Sequence, residues 1–100
     1  MAISYPRVRT VTSAPTIATN DHTLLCDGSS GAFSVGLPTA IGNSRRFVVK
    51  RIGASGTITV DPLGNQTVDG AAFFALTAQY QAITIVSNGA NWAVESFYTP

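Results

Sequence analysis

Short runs of alternating apolar and polar residues recur along the chain, separated by Gly, Pro, Asn and Asp residues that favour turns. Runs of this length, rich in β-branched residues, predict strands. The predicted strands cover residues 22–26, 32–37, 45–52, 57–60, 82–86 and 92–97. The pattern is therefore that of an all-β protein.

Residues 71–82 fit two structures. Several alanines in this segment are good helix formers, and the segment contains no helix breaker. Phe74, Leu76 and Ala78, however, alternate with their neighbours in the period of a strand, and no helix cap precedes them. We expect a strand here, with a helix as the alternative.

The turns predict how the strands connect. The loop Gly53–Gly56 is short enough to join residues 45–60 into a hairpin, and Asn88-Gly89 is a strong two-residue turn signal for a second hairpin over 81–98. Turns spaced about every 8 to 12 residues, without a helix as a parallel crossover, predict antiparallel sheets. The expected fold is a small antiparallel β-sandwich or jelly-roll-like barrel in which the two hairpins stack as opposing sheets. No exact internal repeat is visible.

Four hydroxyl side chains should point away from the core: Ser34, Thr57, Thr59 and Thr84.

The first 20 residues differ from the rest of the chain. Pro6 and Pro15 cannot donate hydrogen bonds to a sheet and disfavour a helix. Residues 1–20 are therefore predicted to form an extended N-terminal arm, with residues 21–100 as a single β-domain. An arm that buries little on its own is expected to contact a neighbouring protein, through Tyr5, Arg7, Val8, Arg9 and Val11.

The composition predicts association with other chains. Only 11% of the 100 residues are charged, whereas 45% are hydrophobic and the mean hydropathy is +0.23. A domain of this size buries only about 60 to 70% of its extended-chain surface, so many apolar side chains must face water or meet another chain. Self-association is the first expectation.

Charge and segment composition argue against several partners. A net charge of +1 gives no strong positive field for nucleic-acid binding. Residues 1–7 lack the apolar core of about 7 to 15 residues found in signal peptides, and no apolar run approaches the roughly 20 residues of a membrane span. The single cysteine, Cys26, cannot form an internal disulfide, which fits synthesis in the cytosol. We expect neither a nucleic acid nor a membrane as partner.

The sequence offers few groups for catalysis or metal binding. His22 and Cys26 would lie roughly 13 Å apart on a strand, too far to share a metal or to act as base and nucleophile. Four of the five carboxylates adjoin Gly, Pro or Asn and are interpreted as turn residues: Asp21, Asp27, Asp61 and Asp69. Glu95 is expected on the solvent face or as the partner of an Arg in another subunit. We therefore expect no enzyme, no metal site and no cofactor.

Two groups of side chains are candidate binding sites. A basic cluster within seven positions would either dock an acidic surface or protect an edge or surface strand from aggregation: Arg45, Arg46, Lys50 and Arg51. Three aromatic residues would stack on the sugar rings of a glycan: Trp92, Tyr80 and Tyr98. Because Trp92 follows a tight turn and alternates with Val94, it also fits a place in the core.

Several short motifs occur in a recognisable order. They are Leu37-Pro38, Phe47-Val-Val-Lys-Arg-Ile52, Gly56-Thr-Ile-Thr-Val-Asp61, Gln66-Thr-Val-Asp-Gly70, and Ile83-Thr-Ile-Val-Ser-Asn-Gly89 followed by Asn91-Trp92. In this order they resemble a β-rich module of tailed-bacteriophage virion proteins. The most specific parts are the Thr67-Val-Asp-Gly70 turn and the Ser87-Asn-Gly-x-Asn-Trp92 ending. The likeness covers about residues 20 to 95 and leaves the N-terminal arm unmatched.

The resemblance implies a trimer-forming structural protein rather than an enzyme, since such modules occur as head decoration proteins and within tail fibres. A single module that begins at Met1 looks like a capsid decoration, or cement, protein. We expect it to be made in the host cytoplasm, to bind the major capsid protein on the outer head surface as a homotrimer, and to stabilise the shell. The alternative is a tail-fibre or tail-tip module that binds a host surface glycan.

Overall fold

The computed structural model describes residues 7–18 and 21–100. In these residues the chain forms eight strands and no helix, and hence no helix long and apolar enough to cross a membrane. The strands are β1 (Arg7–Val11), β2 (Asp21–Cys26), β3 (Phe33–Gly36), β4 (Arg46–Arg51), β5 (Ile58–Asp61), β6 (Phe74–Leu76), β7 (Ala82–Ser87) and β8 (Trp92–Tyr98). The all-β prediction is confirmed, and the helix alternative for residues 71–82 is wrong.

The strands form two mixed sheets. The large sheet has the order β1-β2-β4-β7-β8, and the small sheet has the order β3-β5-β6. The pairs β1–β2, β2–β4 and β3–β5 are parallel, whereas β4–β7, β7–β8 and β5–β6 are antiparallel. The prediction of antiparallel sheets is therefore wrong for three pairs. Between β2 and β4 the chain crosses to the small sheet through β3, and between β3 and β5 it crosses to the large sheet through β4. In these two pairs a strand of the other sheet therefore replaces the helical crossover.

Two of the three parallel pairs, β2–β4 and β3–β5, share one register. In the large sheet Thr23 pairs with Val48, and in the small sheet Phe33 pairs with Ile58, in both cases residues 25 positions apart. From β2 to β5 the chain thus makes two stacked coils of equal length. The fold contains a structural repeat where the sequence shows no exact one.

The loops that carry the chain from the large sheet to the small sheet also stack. Their sequences match as Gly28-Ser-Ser-Gly31 and Gly53-Ala-Ser-Gly56, again 25 positions apart. A Cβ atom on Gly56 would overlap the carbonyl oxygen of Gly28. Gly56 also has a φ of 83°, which residues with side chains rarely adopt. Glycine at this position therefore lets the two coils approach each other.

One of the two predicted hairpins is confirmed. β7 pairs with β8, and the two strands are joined by residues 88–91 rather than by the two residues Asn88-Gly89 alone. The hairpin over 45–60 is wrong, because β4 and β5 lie in different sheets. The stacking of the two hairpins is wrong as well, since β4 pairs with β7 inside the large sheet.

The predicted N-terminal arm is not confirmed where the structure describes it. Arg7–Val11 form the edge strand β1, which runs parallel to β2, and Val11 is buried in the core. Tyr5, with the rest of residues 1–6, and residues 19–20 lie outside the described residues.

The core lies between the sheets and draws side chains from both. Its buried hydrophobic members are Val11, Leu24, Cys26, Val35, Leu37, Ala40, Phe47, Val49, Ile58, Val60, Val68, Leu76, Ile83, Ile85 and Trp92. The expected outward hydroxyl residues lie outside this set, since Ser34 and Thr57 are exposed and Thr59 and Thr84 are half-buried. In β3, β5 and β7 the alternation in the sequence thus predicts correctly which side faces the core.

Candidate functional site

The two motifs most specific to the bacteriophage resemblance contact each other. The Trp92 amide donates to the Thr67 carbonyl at 2.9 Å, and the Asp69 amide donates to the Trp92 carbonyl at 2.9 Å. The Thr67 amide donates to Asn91 Oδ1, and the Val94 amide donates to Asp69 Oδ1, both at 3.0 Å. Each motif therefore satisfies backbone groups of the other and covers the first residues of the β8 edge. These residues are explained by the fold and need no catalytic role.

Trp92 lies in the core and not on a sugar-binding surface. It is 1% exposed, and its ring centroid lies 5.5 Å from that of Phe47. Its indole Nε1 has no hydrogen-bond partner among the described residues. The interpretation of Trp92 as a core residue is confirmed, which leaves Tyr80 and Tyr98 as the exposed members of the aromatic group.

Asp21 is the centre of an internal ion cluster rather than a turn residue. Its buried carboxylate accepts hydrogen bonds from Arg7 Nε at 2.7 Å, from Arg9 Nη2 at 3.0 Å and from the Ala18 amide at 2.8 Å. Arg45 Nη2 donates to the Asp21 backbone carbonyl at 2.7 Å. Burial alone would raise the pKa of the Asp21 carboxyl, but the hydrogen bonds from Ala18, Arg9 and Arg7 outweigh it and hold that pKa below its ordinary value.

This cluster explains why Arg7 and Arg9 belong to a strand. Both side chains point to the same side of β1 as Val11, which lies in the core, and both are half-buried. Because half-buried positive charges are costly without an opposite charge, the Asp21 carboxylate is needed beside them. The sequence signal that could have identified the cluster is the alternation Arg-Val-Arg in a chain with only five acidic residues.

The predicted basic cluster is divided among separate environments. The Arg45 guanidinium lies 4.4 Å from the Phe47 ring centroid. Arg46 Nε donates to Glu95 Oε1 at 2.7 Å, and this ion pair raises the pKa of Arg46. Arg51 is buried, and its Nε donates to the Gly53 carbonyl.

Strand β4, which carries Arg46, Lys50 and Arg51, is the central strand of the large sheet, so the edge-strand interpretation is wrong. The surface-strand interpretation fits Arg46, which is exposed. Glu95 is exposed, as expected of a residue on the solvent face, and it pairs with Arg46 of the same chain.

Lys50 belongs with the tyrosines and not with the arginines. Its Nζ lies 5.8 Å from the Tyr80 ring centroid and 5.9 Å from the Tyr98 ring centroid. Tyr80 is 49% exposed and Tyr98 is 57% exposed. Lys50 and Tyr98 flank Ala82 across the large sheet, on the side opposite the core, which we call the outer face. Sequence reasoning assigned the tyrosines and Lys50 to two different sites, because it did not predict that β4, β7 and β8 are neighbours.

The remaining titratable groups are separate from one another. His22 Nδ1 lies 2.8 Å from the Thr23 hydroxyl, and the Cys26 thiol is buried, which raises its pKa to about 12. The Asp27 carboxylate accepts bonds from the Ser29 hydroxyl and amide, which lower its pKa, as expected of a turn residue. Among the described residues no three His, Cys, Asp or Glu side chains are placed to hold a metal ion.

Comparison with models of known protein families found no match, and a search of the curated proteins found none either. Function therefore has to be inferred from the surface and the internal contacts of the chain itself.

Proposed function

We propose that this protein is a structural protein of a tailed-bacteriophage virion. In this proposal it is a capsid decoration protein whose two sheets form a sandwich. It associates as a homotrimer, binds the major capsid protein on the outer head surface and stabilises the shell. Contacts made only in the assembled shell lower its free energy relative to the dissociated subunits, so no catalysis is required.

The observation that carries the proposal is the amount of apolar surface outside the core. Among the residues that the structure describes, seven large hydrophobic side chains are between 45% and 68% exposed. With 11% of its residues charged, the chain has few groups to separate these side chains from one another. Extended apolar surface on a small protein is typical of contact with other protein chains. The exposed residues are Val8, Ile41, Leu63, Phe73, Tyr80, Phe97 and Tyr98.

The β1 side of the outer face is the best candidate for a contact between subunits. Val8 is 60% exposed on edge strand β1, and Val48 lies in the same row across the sheet, two strands away. Arg7 and Arg9 are engaged with Asp21, so of the described residues first expected to form the arm contact, Val8 is the one whose apolar side chain is available.

The proposal is tested by solution mass and by binding to heads. Sedimentation equilibrium should give three times the 10.4 kDa chain mass. Purified heads that lack the protein should bind it and then withstand a higher temperature before releasing DNA. Val8→Asp should weaken both association and binding, because it places a charge in the contact. Ser34→Asp is the matched control, since Ser34 is exposed on the small sheet.

A monomer that leaves heads unchanged would contradict the proposal. Equal losses in Val8→Asp and Ser34→Asp would show that the contact lies elsewhere.

The second candidate function is that of a tail-fibre or tail-tip module that binds a host surface glycan. It is favoured by the exposed rings of Tyr80 and Tyr98 beside Lys50.

A further inference from the structure

The outer face carries one lysine and two tyrosines close together on its β7–β8 side, and we call Lys50, Tyr80 and Tyr98 the lysine–tyrosine cluster. In the register of the sheet Lys50 lies opposite Ala82, and Ala82 lies opposite Tyr98. Adjacent strands are about 4.8 Å apart, so the Lys50 and Tyr98 backbones are separated by about 10 Å across a single methyl group. The Lys50 side chain spans part of this distance, since its Nζ lies near the Tyr98 ring. The Tyr80 ring lies near the same Nζ atom and adds a second exposed aromatic side chain.

The Lys50 ammonium in this cluster has no acidic partner in the described part of the chain. The ion pairs there join Arg7 and Arg9 to Asp21, and Arg46 to Glu95. Lys50 Nζ instead lies at the outer limit of cation–π distance from two tyrosine rings. An ammonium held by two weak contacts can form an additional ion pair with an incoming anion.

Tyr80 is held in an unfavourable backbone conformation. Its φ is 70°, in the left-handed region that bulky residues rarely adopt. Its amide donates to the Arg51 carbonyl, which anchors the residue next to the end of β4. Strained residues of this kind are concentrated at functional sites, where the surrounding structure maintains them. Here the strain places an exposed aromatic ring beside Lys50.

We propose that Lys50, Tyr80 and Tyr98 bind a carboxylate-bearing sugar ring, such as a uronic acid unit of a bacterial surface polysaccharide. The sugar carboxylate pairs with Lys50 Nζ, and the apolar face of the sugar ring packs on a tyrosine ring. Two exposed aromatic rings beside one cation fit a ring-shaped acid better than an acidic peptide, whose carboxylates are carried on flexible chains. This inference rests on the second candidate function, glycan binding, and is independent of capsid attachment.

The experiment compares two probes that differ in one group. Methyl glucuronide carries a carboxylate where methyl glucoside carries a hydroxymethyl group, and both are titrated into the full chain while amide chemical shifts are recorded by NMR. The uronide should bind about tenfold more tightly at low salt, with the largest shifts near Lys50, Ala82 and Tyr98. The preference should decrease in about 0.5 M salt, because the ion pair is exposed.

Three variants separate the parts of the site. Lys50→Gln should reduce the preference for the uronide to about one, whereas Arg46→Gln, on the same strand and face but paired with Glu95, should leave it unchanged. Tyr98→Ser should weaken both sugars. Tyr80→Gly should weaken both sugars while raising thermal stability, because Gly relieves the backbone strain. A purely structural role for Tyr80 would not give this combination.

The outcomes distinguish this proposal from glycan binding in general. Equal affinity for the two sugars, mapped to the same residues, would retain glycan binding and overturn the acidic specificity. The absence of shifts with either sugar would overturn the site, and with it the second candidate function. Tighter binding of a glutamate-rich peptide than of the uronide would assign the lysine–tyrosine cluster to a protein partner and would also overturn the proposal.

Discussion

Asp21→Asn should destabilise the fold by about 2 to 3 kcal/mol at neutral pH. Removing one partner of a buried ion pair costs about 3 to 5 kcal/mol, because the remaining charges stay buried. In this cluster the Arg7 and Arg9 side chains are 40% and 30% exposed, so water can partly solvate their charges. The expected loss is therefore smaller than for a fully buried pair, about 2 to 3 kcal/mol. Asn keeps one oxygen acceptor for the Ala18 amide but places an NH2 group near two guanidinium groups.

The effect should depend on pH with a defined sign. The pKa of Asp21 is lower in the folded state than in the unfolded chain, where an aspartate has a pKa of about 3.9. The stabilisation from ionised Asp21 is therefore complete above about pH 5 and is lost as the pH falls through the lower folded-state pKa. The difference between wild type and Asp21→Asn should be constant from about pH 5 to pH 8 and should decrease towards pH 2.

Urea denaturation of both proteins, followed by circular dichroism at a series of pH values, measures this difference. Asp61→Asn is the matched control, because Asp61 is exposed at the end of β5, and it should change the free energy of unfolding by less than about 0.5 kcal/mol. A loss at Asp21 no larger than the control, or a loss that stays constant down to pH 2, would refute the ion cluster as a source of stability.

Three further predictions concern the core and the loops. Gly56→Ala should cost at least about 3 kcal/mol, because positive φ and the Gly28 carbonyl both oppose a methyl group, whereas Gly64→Ala, with positive φ but open space, should cost about 1 kcal/mol. Equal losses in urea denaturation would argue against the loop contact. Trp92→Phe should cost about 1 to 2 kcal/mol against about 3 to 5 for Trp92→Ala, because Phe removes an Nε1–H without a partner among the described residues. A Phe variant as unstable as the Ala variant would contradict this. The Cys26 thiol, buried and with its pKa raised to about 12, should react with a disulfide reagent at pH 8 only at the rate of unfolding, and rapid labelling of native protein would contradict its burial.

The sequence is informative about which side of each strand is buried. In β7 the alternation of Ile83 and Ile85 with Thr84 predicts that the isoleucines point inward and Thr84 points outward. The structure confirms this, since both isoleucines are buried and Thr84 is half-buried. In β4 the alternation separates Phe47 and Val49 from Val48 and Lys50, but both faces carry apolar groups, so the pattern alone does not predict that Phe47 and Val49 lie in the core. A period of two fixes these orientations because successive side chains point to opposite faces of any sheet, whichever strands lie beside it.

Alternation does not indicate which strands are neighbours or in which direction they run. The loop Gly53–Gly56 has the length and composition of a hairpin turn, yet it carries the chain between two sheets. What identifies its role is its likeness to Gly28–Gly31, 25 residues earlier, since equal spacing of loops is the signature of stacked coils. The candidate site depends on the same information, because Lys50 and Tyr98 become neighbours only when β4, β7 and β8 are adjacent.

The 25-residue register also explains where the coiled path ends. Each coil places one strand in the large sheet and one in the small sheet, and a third parallel coil would need a strand beside β5 that runs in the same direction. β6 instead pairs with β5 in the antiparallel direction, and β7 pairs with β4 likewise, so after β5 the chain retraces both sheets. This reversal brings β8 to the edge of the large sheet. There the Thr67 carbonyl accepts a hydrogen bond from the Trp92 amide, and Asp69 Oδ1 accepts one from the Val94 amide. At the other end of β8, Tyr98 lies near Lys50. The contact between residues 67–70 and 87–92 and the proposed sugar site thus both follow from the point at which the parallel stacking stops.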